Sequence, residues 1–116
     1  CMDSETLIAV DPALRTTGYA ILSRTGRRVT CRAFGTIRNK PALPASACLL
    51  AIRDSIADLI RTHEPAAFVV EGIIFVQSYQ TAITLGAARG AAILAAAERG
   101  LPIFEYAPRK VKQAVV

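Results

Sequence analysis

The chain has 116 residues, of which 53% are hydrophobic and 20% are charged, and its formal net charge is +5. This composition excludes a disordered chain and fits one compact domain. The longest apolar run, GAAILAAA, is far shorter than the ~20 residues of a membrane-spanning helix, and the N-terminus CMDSET has no secretion signal. We therefore expect a cytoplasmic protein without a membrane partner. The positive balance is typical of nucleic-acid-binding proteins, although ordinary solubility explains it equally well.

The N-terminal part of the chain predicts three antiparallel strands. Residues 1–6 are predicted to be a cloning remnant or a flexible N-terminus, and residues 7–116 one domain. Gly26 supplies the tight bend after the second strand. The predicted strands are Leu7–Val10, Tyr19–Ser23 and Val29–Ile37.

After the proline-containing segment NKPALPA, helices and strands alternate. Apolar residues recur at helical spacing from Ser46 until Pro65 ends the helix. The run AAFVVEG predicts a central strand that is covered on both faces. A loop, IIFVQSYQ, precedes a helix at Thr81–Arg99 with Gly100 as its C-cap, and PIFEYAP and RKVKQAVV predict one more strand and helix. This order predicts an α/β domain whose mixed sheet, an antiparallel meander followed by parallel strands, is flanked by helices.

Two acids, Asp11 and Glu71, each follow a run of buried-type residues and precede a loop. If their strands are neighbours, both side chains lie in one cleft at the carboxyl ends of the strands. Two carboxylates placed there repel each other unless a cation lies between them, and carboxylate oxygens are natural ligands of Mg²⁺. Phosphodiester hydrolysis with two metal ions about 3.5–4 Å apart depends on such a cluster. Taken singly, Asp11 is better explained as a turn-capping residue and Glu71 as an ordinary strand-end acid; only the pair, in which each acid ends a central strand, favours the metal site.

An ordered series of motifs resembles the RuvC-type Holliday-junction resolvases of the ribonuclease-H-like superfamily. The motifs are IAVDPALRTTGYAIL, GTIR, VVEGIIF and LGAARGAAILAAAERGLPIFEYAPRKVKQAVV, and they extend from Leu7 to the last residue. The resemblance implies a homodimeric, Mg²⁺-dependent endonuclease, with Mn²⁺ as a plausible substitute. Such an enzyme binds four-way junction DNA in recombination and repair, nicks two strands symmetrically and works beside a branch-migration motor.

Site residues follow from the resemblance by position. Asp11 and Glu71 match catalytic, metal-binding acids of the family, and Lys112 matches a basic residue near the active site and the DNA. Charge and location add Arg15, Arg109 and Lys110 as DNA-binding candidates, with a solvated basic surface as the equal alternative. Phe75 is the candidate aromatic wedge for the junction, although Ile74 lies nearer the family's position and Phe75 is as readily a core residue.

Two features depart from the family's pattern, and a third bears on how the long helix packs. Ala13 occupies a position that usually holds glycine, and its Cβ strains the turn if that turn needs a positive φ. The family's further C-terminal acids have no counterpart after Glu105. We therefore expect the domain to be truncated in its C-terminal helix, and inactive at this length, in preference to a catalytically incomplete relative. In the long helix, Ala82, Gly86 and Gly90 form a strip of small residues, which suits either a dimer contact or close packing on the sheet.

These features leave two alternatives beside a junction-resolving endonuclease. One is a relative that binds branched DNA without cleaving it, which the missing C-terminal acids favour. The other is a YqgF-like nuclease that acts on RNA, against which the long helix and the motif EYAPRKVKQAVV argue.

Overall fold

The computed structural model describes residues 4–71 and 78–106, which form five strands and two long helices. The predicted helix that opens at Arg109 lies outside these residues. In chain order the elements are β1 (Ser4–Asp11), β2 (Thr16–Thr25), β3 (Arg28–Arg38), α1 (Ala45–His63), β4 (Ala67–Glu71), α2 (Tyr79–Glu98) and β5 (Ile103–Tyr106).

The strands form one mixed sheet with the order β3-β2-β1-β4-β5. The pairs β1–β2 and β2–β3 are antiparallel, whereas β1–β4 and β4–β5 are parallel. This confirms the predicted meander followed by parallel strands. It also explains why β4, which lies between two parallel neighbours, is the most continuously apolar strand.

A single apolar core joins one face of the sheet to α1 and α2. The strands contribute alternate residues to it, and α2 contributes alanines, whose small side chains let the helix approach closely. The core residues of the strands are Ile8, Val10, Ile21, Phe68 and Val70, and those of the helices are Ile52, Ile56, Ile60, Ala88, Ala92, Ala95 and Ala96.

An ion pair joins the outer surfaces of the two helices. Arg53 Nε and Nη2 donate to the two carboxylate oxygens of Glu98 at 2.8 and 2.7 Å. These hydrogen bonds lower the pKa of Glu98 and raise that of Arg53. The bidentate contact therefore links α1 and α2 at the surface, outside the core that packs them together.

Several element boundaries differ from the sequence prediction. Strand β2 is Thr16–Thr25 rather than Tyr19–Ser23, and β3 is Arg28–Arg38 rather than Val29–Ile37. Strand β1 begins at Ser4 rather than Leu7, because the polar residues 4–6 pair with β2 and Glu5 forms an ion pair with Arg24. Helix α2 begins at Tyr79 rather than Thr81, because the Ser78 side chain accepts a hydrogen bond from the Thr81 backbone N–H and caps the helix.

The φ values at the turns agree with the sequence prediction at two glycines and differ from it at Glu64 and Ala13. Gly26 and Gly100 have the positive φ values, 63° and 69°, that glycine allows. Within the described residues Glu64 is the one non-glycine with positive φ, so the strain predicted at Ala13 does not arise.

No helix in the described part of the chain is both long enough and apolar enough to cross a membrane.

Candidate nuclease site

The two candidate acids lie side by side at one end of the sheet. Asp11 is the last residue of β1, and Glu71 is the last residue of β4. The parallel register pairs Val10 of β1 with Val70 of β4. The residues that follow this pair, Asp11 and Glu71, are therefore neighbours across the two strands. Neighbouring strands are about 4.8 Å apart, and side chains alternate between faces along a strand. Because Val10 and Val70 enter the helix-covered core, both carboxylates project on the opposite face.

The space beside Asp11 is open on the β2 side. Asp11 pairs with Gly18, and a Cβ added at Gly18 would have the Asp11 Cβ at 4.0 Å as its nearest neighbour. Asp11 itself is exposed, whereas Glu71 is half-buried. A phosphate or a hydrated cation can therefore reach the Asp11 carboxylate across Gly18.

A buried threonine holds the turn that follows Asp11. The Thr17 hydroxyl donates to the carbonyl oxygen of Ala13 at 2.7 Å, and the Ala13 backbone N–H donates to the Thr17 hydroxyl oxygen at 3.2 Å. Thr17 is fully buried on β2. Both polar groups of Ala13 are thus satisfied locally, which keeps the turn after Asp11 in one conformation.

The same turn is tied to the start of α1 by two further side chains. Asn39 Nδ2 donates to the carbonyl oxygens of Leu14 and Cys48 at 2.9 and 3.3 Å. Arg15 Nη1 lies 2.9 Å from the carbonyl oxygens of Lys40 and Leu43 and 3.1 Å from Cys48 Sγ. These contacts give Arg15 a structural role, and its predicted contact with DNA stays a prediction.

The remaining predicted site residues are outside the described part of the chain. They are Phe75, Arg109, Lys110 and Lys112. Of the predicted site residues, the structure thus places Asp11 and Glu71 side by side and Arg15 against the turn that follows Asp11.

The donor set of the two acids fits a hard divalent cation. Magnesium is commonly bound by one or two carboxylates together with water and substrate phosphate oxygens, and both candidates supply oxygen only. Among residues 4–71 and 78–106 no group of three or more His, Cys, Asp or Glu side chains is placed to hold a metal ion. The described part of the site is thus a two-carboxylate site.

Sequence reasoning missed one basic residue on the face that carries the acids. Asp11 pairs with Gly18, which pairs with Thr36 of β3, and Arg38 lies two residues further along that strand on the same face. The motif GTIR contains Arg38, but only the register across three strands shows that Arg38 shares a face and a sheet end with Asp11.

Comparison with known proteins agrees with this arrangement. Residues 7–116 match the family model described as "Crossover junction endodeoxyribonuclease RuvC". The protein of that name from Akkermansia muciniphila is 47% identical over 110 residues, a match that covers 95% of this chain and 66% of the relative. The chain thus spans just under two thirds of the length of this relative.

Two solved structures share the fold. The RuvC of T. thermophilus in complex with a Holliday junction substrate superimposes with a TM-score of 0.86 at 25% identity, covering 95% of this chain and 69% of that one. The yeast mitochondrial Holliday junction resolvase Ydc2 has a TM-score of 0.59 at 11% identity over 92% of this chain and 54% of its own, which supports the fold alone. The mixed sheet is thus the predicted ribonuclease-H-like fold, and the chain belongs to the RuvC family of crossover junction endodeoxyribonucleases.

Proposed function

We propose that this chain carries catalytic acids of a metal-dependent endonuclease that resolves four-way DNA junctions. The observation that carries the proposal is the parallel register of β1 and β4, which makes Asp11 and Glu71 neighbours on one face. Family membership supports the reaction class, and the T. thermophilus relative has been solved with a Holliday junction substrate. The fold alone would not assign a nuclease activity, because one fold hosts many functions.

In this proposal Asp11 and Glu71 hold Mg²⁺, or Mn²⁺ in its place. The bound cation would lower the pKa of a coordinated water and stabilise negative charge on the leaving oxygen. The protein's own contribution is to hold the two carboxylates in fixed positions, which Thr17 and Asn39 support by fixing the turn after Asp11. Lys112 is proposed to neutralise charge near the scissile phosphate.

The decisive experiment replaces Asp11 by asparagine, which keeps the size of the side chain and removes its charge. We expect Asp11→Asn to lower the cleavage of a labelled four-way junction by about 10²- to 10³-fold, because a metal ion supplies several kcal/mol and each 1.36 kcal/mol is a factor of ten. Junction binding measured in EDTA is expected to stay within about threefold of the unsubstituted protein. The protein is expressed from its complete reading frame, and cleavage is followed with Mg²⁺, with Mn²⁺ and with EDTA.

Asp54→Asn is the matched control, because it makes the same chemical change at an exposed position of α1. Its cleavage rate is expected to equal that of the unsubstituted protein. Cleavage by Asp11→Asn at the control rate would remove Asp11 from the mechanism.

A non-cleaving protein that binds branched DNA is the second candidate. Junction binding by the unsubstituted protein without metal-dependent cleavage would select this candidate. Competition between junction DNA and structured RNA tests the RNA-directed alternative in the same assay.

We also propose that the protein works as a homodimer and beside a branch-migration motor. Support for the dimer comes from α2, which exposes Tyr79, Ile83 and Leu94 at 91%, 66% and 50%. A Cβ added at Gly86 or Gly90 would meet nothing within 4 Å, whereas Ala82 of the predicted small-residue strip is half-buried. An exposed apolar stripe on one helix is the kind of surface that a second subunit covers.

A further inference from the structure

Positive charge is concentrated in the first part of the chain. Residues 12–44 contain seven of the 14 Lys and Arg residues and no Asp or Glu. Two of the seven have partners, because Arg15 binds backbone carbonyls and Arg24 forms an ion pair with Glu5. Among the described residues the side chains of the other five have no hydrogen-bond or ion-pair partner; these are Arg27, Arg28, Arg32, Arg38 and Lys40.

Three of these arginines lie along one free edge of the sheet. Arg28, Arg32 and Arg38 belong to β3, the outermost strand next to β2, and all three are exposed. We call these three residues the basic edge. The β2–β3 register shifts between Ile21 and Leu22, which leaves Arg32 as the unpaired residue of a β-bulge. A bulge twists the strand and re-aims the side chain at that position, here a guanidinium.

The length of the basic edge matches a helical turn of DNA. Ten residue steps separate Arg28 from Arg38, which at about 3.3 Å per residue is about 33 Å. One turn of B-form DNA is about 34 Å long. Guanidinium groups bind phosphate oxygens in a bidentate manner, so three of them spaced along this length can contact phosphates at the points where the two backbones of a duplex face the edge.

The basic edge is continuous with the acid-bearing end of the sheet. Asp11, Gly18 and Thr36 are paired across β1, β2 and β3. Arg38 lies two residues after Thr36 in β3 and so projects on the same face as Asp11. Arg28, at the other end of β3, pairs with Thr25, which in turn pairs with Ser4 at the start of β1.

The bulge reverses the alternation of side chains along β3, so Arg28 projects on the face of Tyr19 and Ile21 and Arg38 on the face of Asp11. The basic edge thus presents guanidinium groups on both faces of one edge strand. A duplex laid against this edge can extend from the end of the sheet that carries Asp11 along β3.

We propose that the basic edge binds the phosphodiester backbone of a duplex DNA arm that leads away from Asp11 and Glu71. This inference rests on the proposed function and adds to it the path of one arm. A duplex is favoured over a single strand, because single strands are bound by several stacked aromatic side chains and β3 offers one aromatic, Phe34. Binding is electrostatic and independent of sequence, because β3 contacts phosphates rather than base edges.

The test is the salt dependence of DNA binding by the double variant Arg28→Gln/Arg32→Gln. Each lost phosphate contact is expected to reduce the slope of log K against log salt by about 0.9, so the double variant is expected to lose about 1.8 per protomer. The probes are a four-way junction and a linear duplex with the sequence of one arm, measured in EDTA from 50 to 200 mM salt. The same decrease is expected for both probes, because the edge contacts an arm and not the crossover.

Two further variants separate charge from structure. Arg61→Gln/Arg99→Gln removes the same charge from the ends of the helices and is expected to leave the slope unchanged. Arg28→Lys/Arg32→Lys retains the charge and is expected to retain the slope, which assigns the decrease in the glutamine variant to charge rather than to loss of the arginine side chains.

The outcomes distinguish this inference from the proposed function. An unchanged slope for Arg28→Gln/Arg32→Gln overturns the inference and leaves the edge charges as protection against edge-to-edge association of sheets. A decrease seen with the junction but not with the duplex also overturns it. If the unsubstituted protein fails to cleave junctions but the slope decreases on both probes, the proposed function fails and the basic edge stands.

Discussion

Gly35 and Tyr19 face each other in the β2–β3 pair on the helix-covered side of the sheet. A Cβ added at Gly35 would lie 2.7 Å from the Tyr19 hydroxyl oxygen and 3.0 Å from the ring carbon Cζ. The Tyr19 ring packs against the core and has little freedom to move aside. Gly35 is therefore required by the volume of its neighbour rather than by its own backbone conformation.

We expect Gly35→Ala to destabilise the protein by about 1–3 kcal/mol, the usual cost of overpacking. The measurement is the free energy of unfolding in urea. In a Tyr19→Leu background the three closest atoms are absent, so the same substitution is expected to cost less than about 0.5 kcal/mol. An equal cost in both backgrounds would place the effect outside this contact.

Individual side chains show where sequence reasoning ends. Asp11 and Glu71 were predicted to be neighbours because each ends an apolar run, a local signal that the register now explains. Arg15 gave no such signal, because its contacts are 25, 28 and 33 positions away along the chain. Only the folded backbone brings Lys40, Leu43 and Cys48 to one guanidinium.

Helix α1 ends in a conformation that its sequence does not favour. Its C-cap, Glu64, has φ 47° and ψ 53°, and its N–H donates to the carbonyl oxygen of Ile60. Pro65 disfavours the right-handed helical region for the residue before it, so the helix cannot continue through Glu64. A left-handed cap is usually glycine, because other residues lose about 1–2 kcal/mol there.

We therefore expect Glu64→Gly to stabilise the protein by about 1 kcal/mol, measured as the free energy of unfolding. Glu64→Ala is the control for the loss of the carboxylate and is expected to change stability by less than about 0.5 kcal/mol. Gly100→Ala makes the opposite change, from glycine to a residue with a Cβ at a positive φ of 69°. No atom would contact the new Cβ, so the expected loss of about 1 kcal/mol comes from the backbone conformation alone. Stabilisation by Glu64→Ala as large as by Glu64→Gly would show that the charge matters rather than the backbone.

The middles of strands and helices were predictable, and several of their ends were not. The helical spacing of Ile52, Ile56 and Ile60 identified the buried face of α1 correctly. The polar start of β1 has no apolar alternation and becomes a strand through its pairing with β2. Ser78 was assigned to a loop although its type and position are those of an N-cap.

In the proposed dimer, the exposed apolar stripe of α2 is covered by the second subunit. We expect Ile83→Glu/Leu94→Glu to shift the protein from dimer to monomer in sedimentation velocity, because two charges would be buried in the interface. Leu50→Glu is the matched control, because Leu50 is exposed by 54% but lies on α1. A dimer that survives the double substitution with unchanged affinity would require a different interface.

The pairing register between strands could not be predicted from local sequence patterns. The order of motifs predicted the mixed sheet and its family, and family membership is established over residues 7–116. The pairing of β1 with β4 joins segments about 60 residues apart, from Leu7 with Ala67 to Val10 with Val70. Contacts of that separation depend on the closure of the whole intervening chain, which periodicity does not describe.

The β1–β4 pairing also limits how the gene can change in length. One codon inserted between Ala67 and Glu71 would shift the carboxylate to the opposite side of the sheet, into the apolar layer beneath α2. The same insertion at Gly26, in the turn between β2 and β3, would lengthen an exposed loop and move neither acid. We therefore expect codon-insertion libraries to lose the proposed nuclease activity within residues 67–71 and to retain it at the hairpin turn.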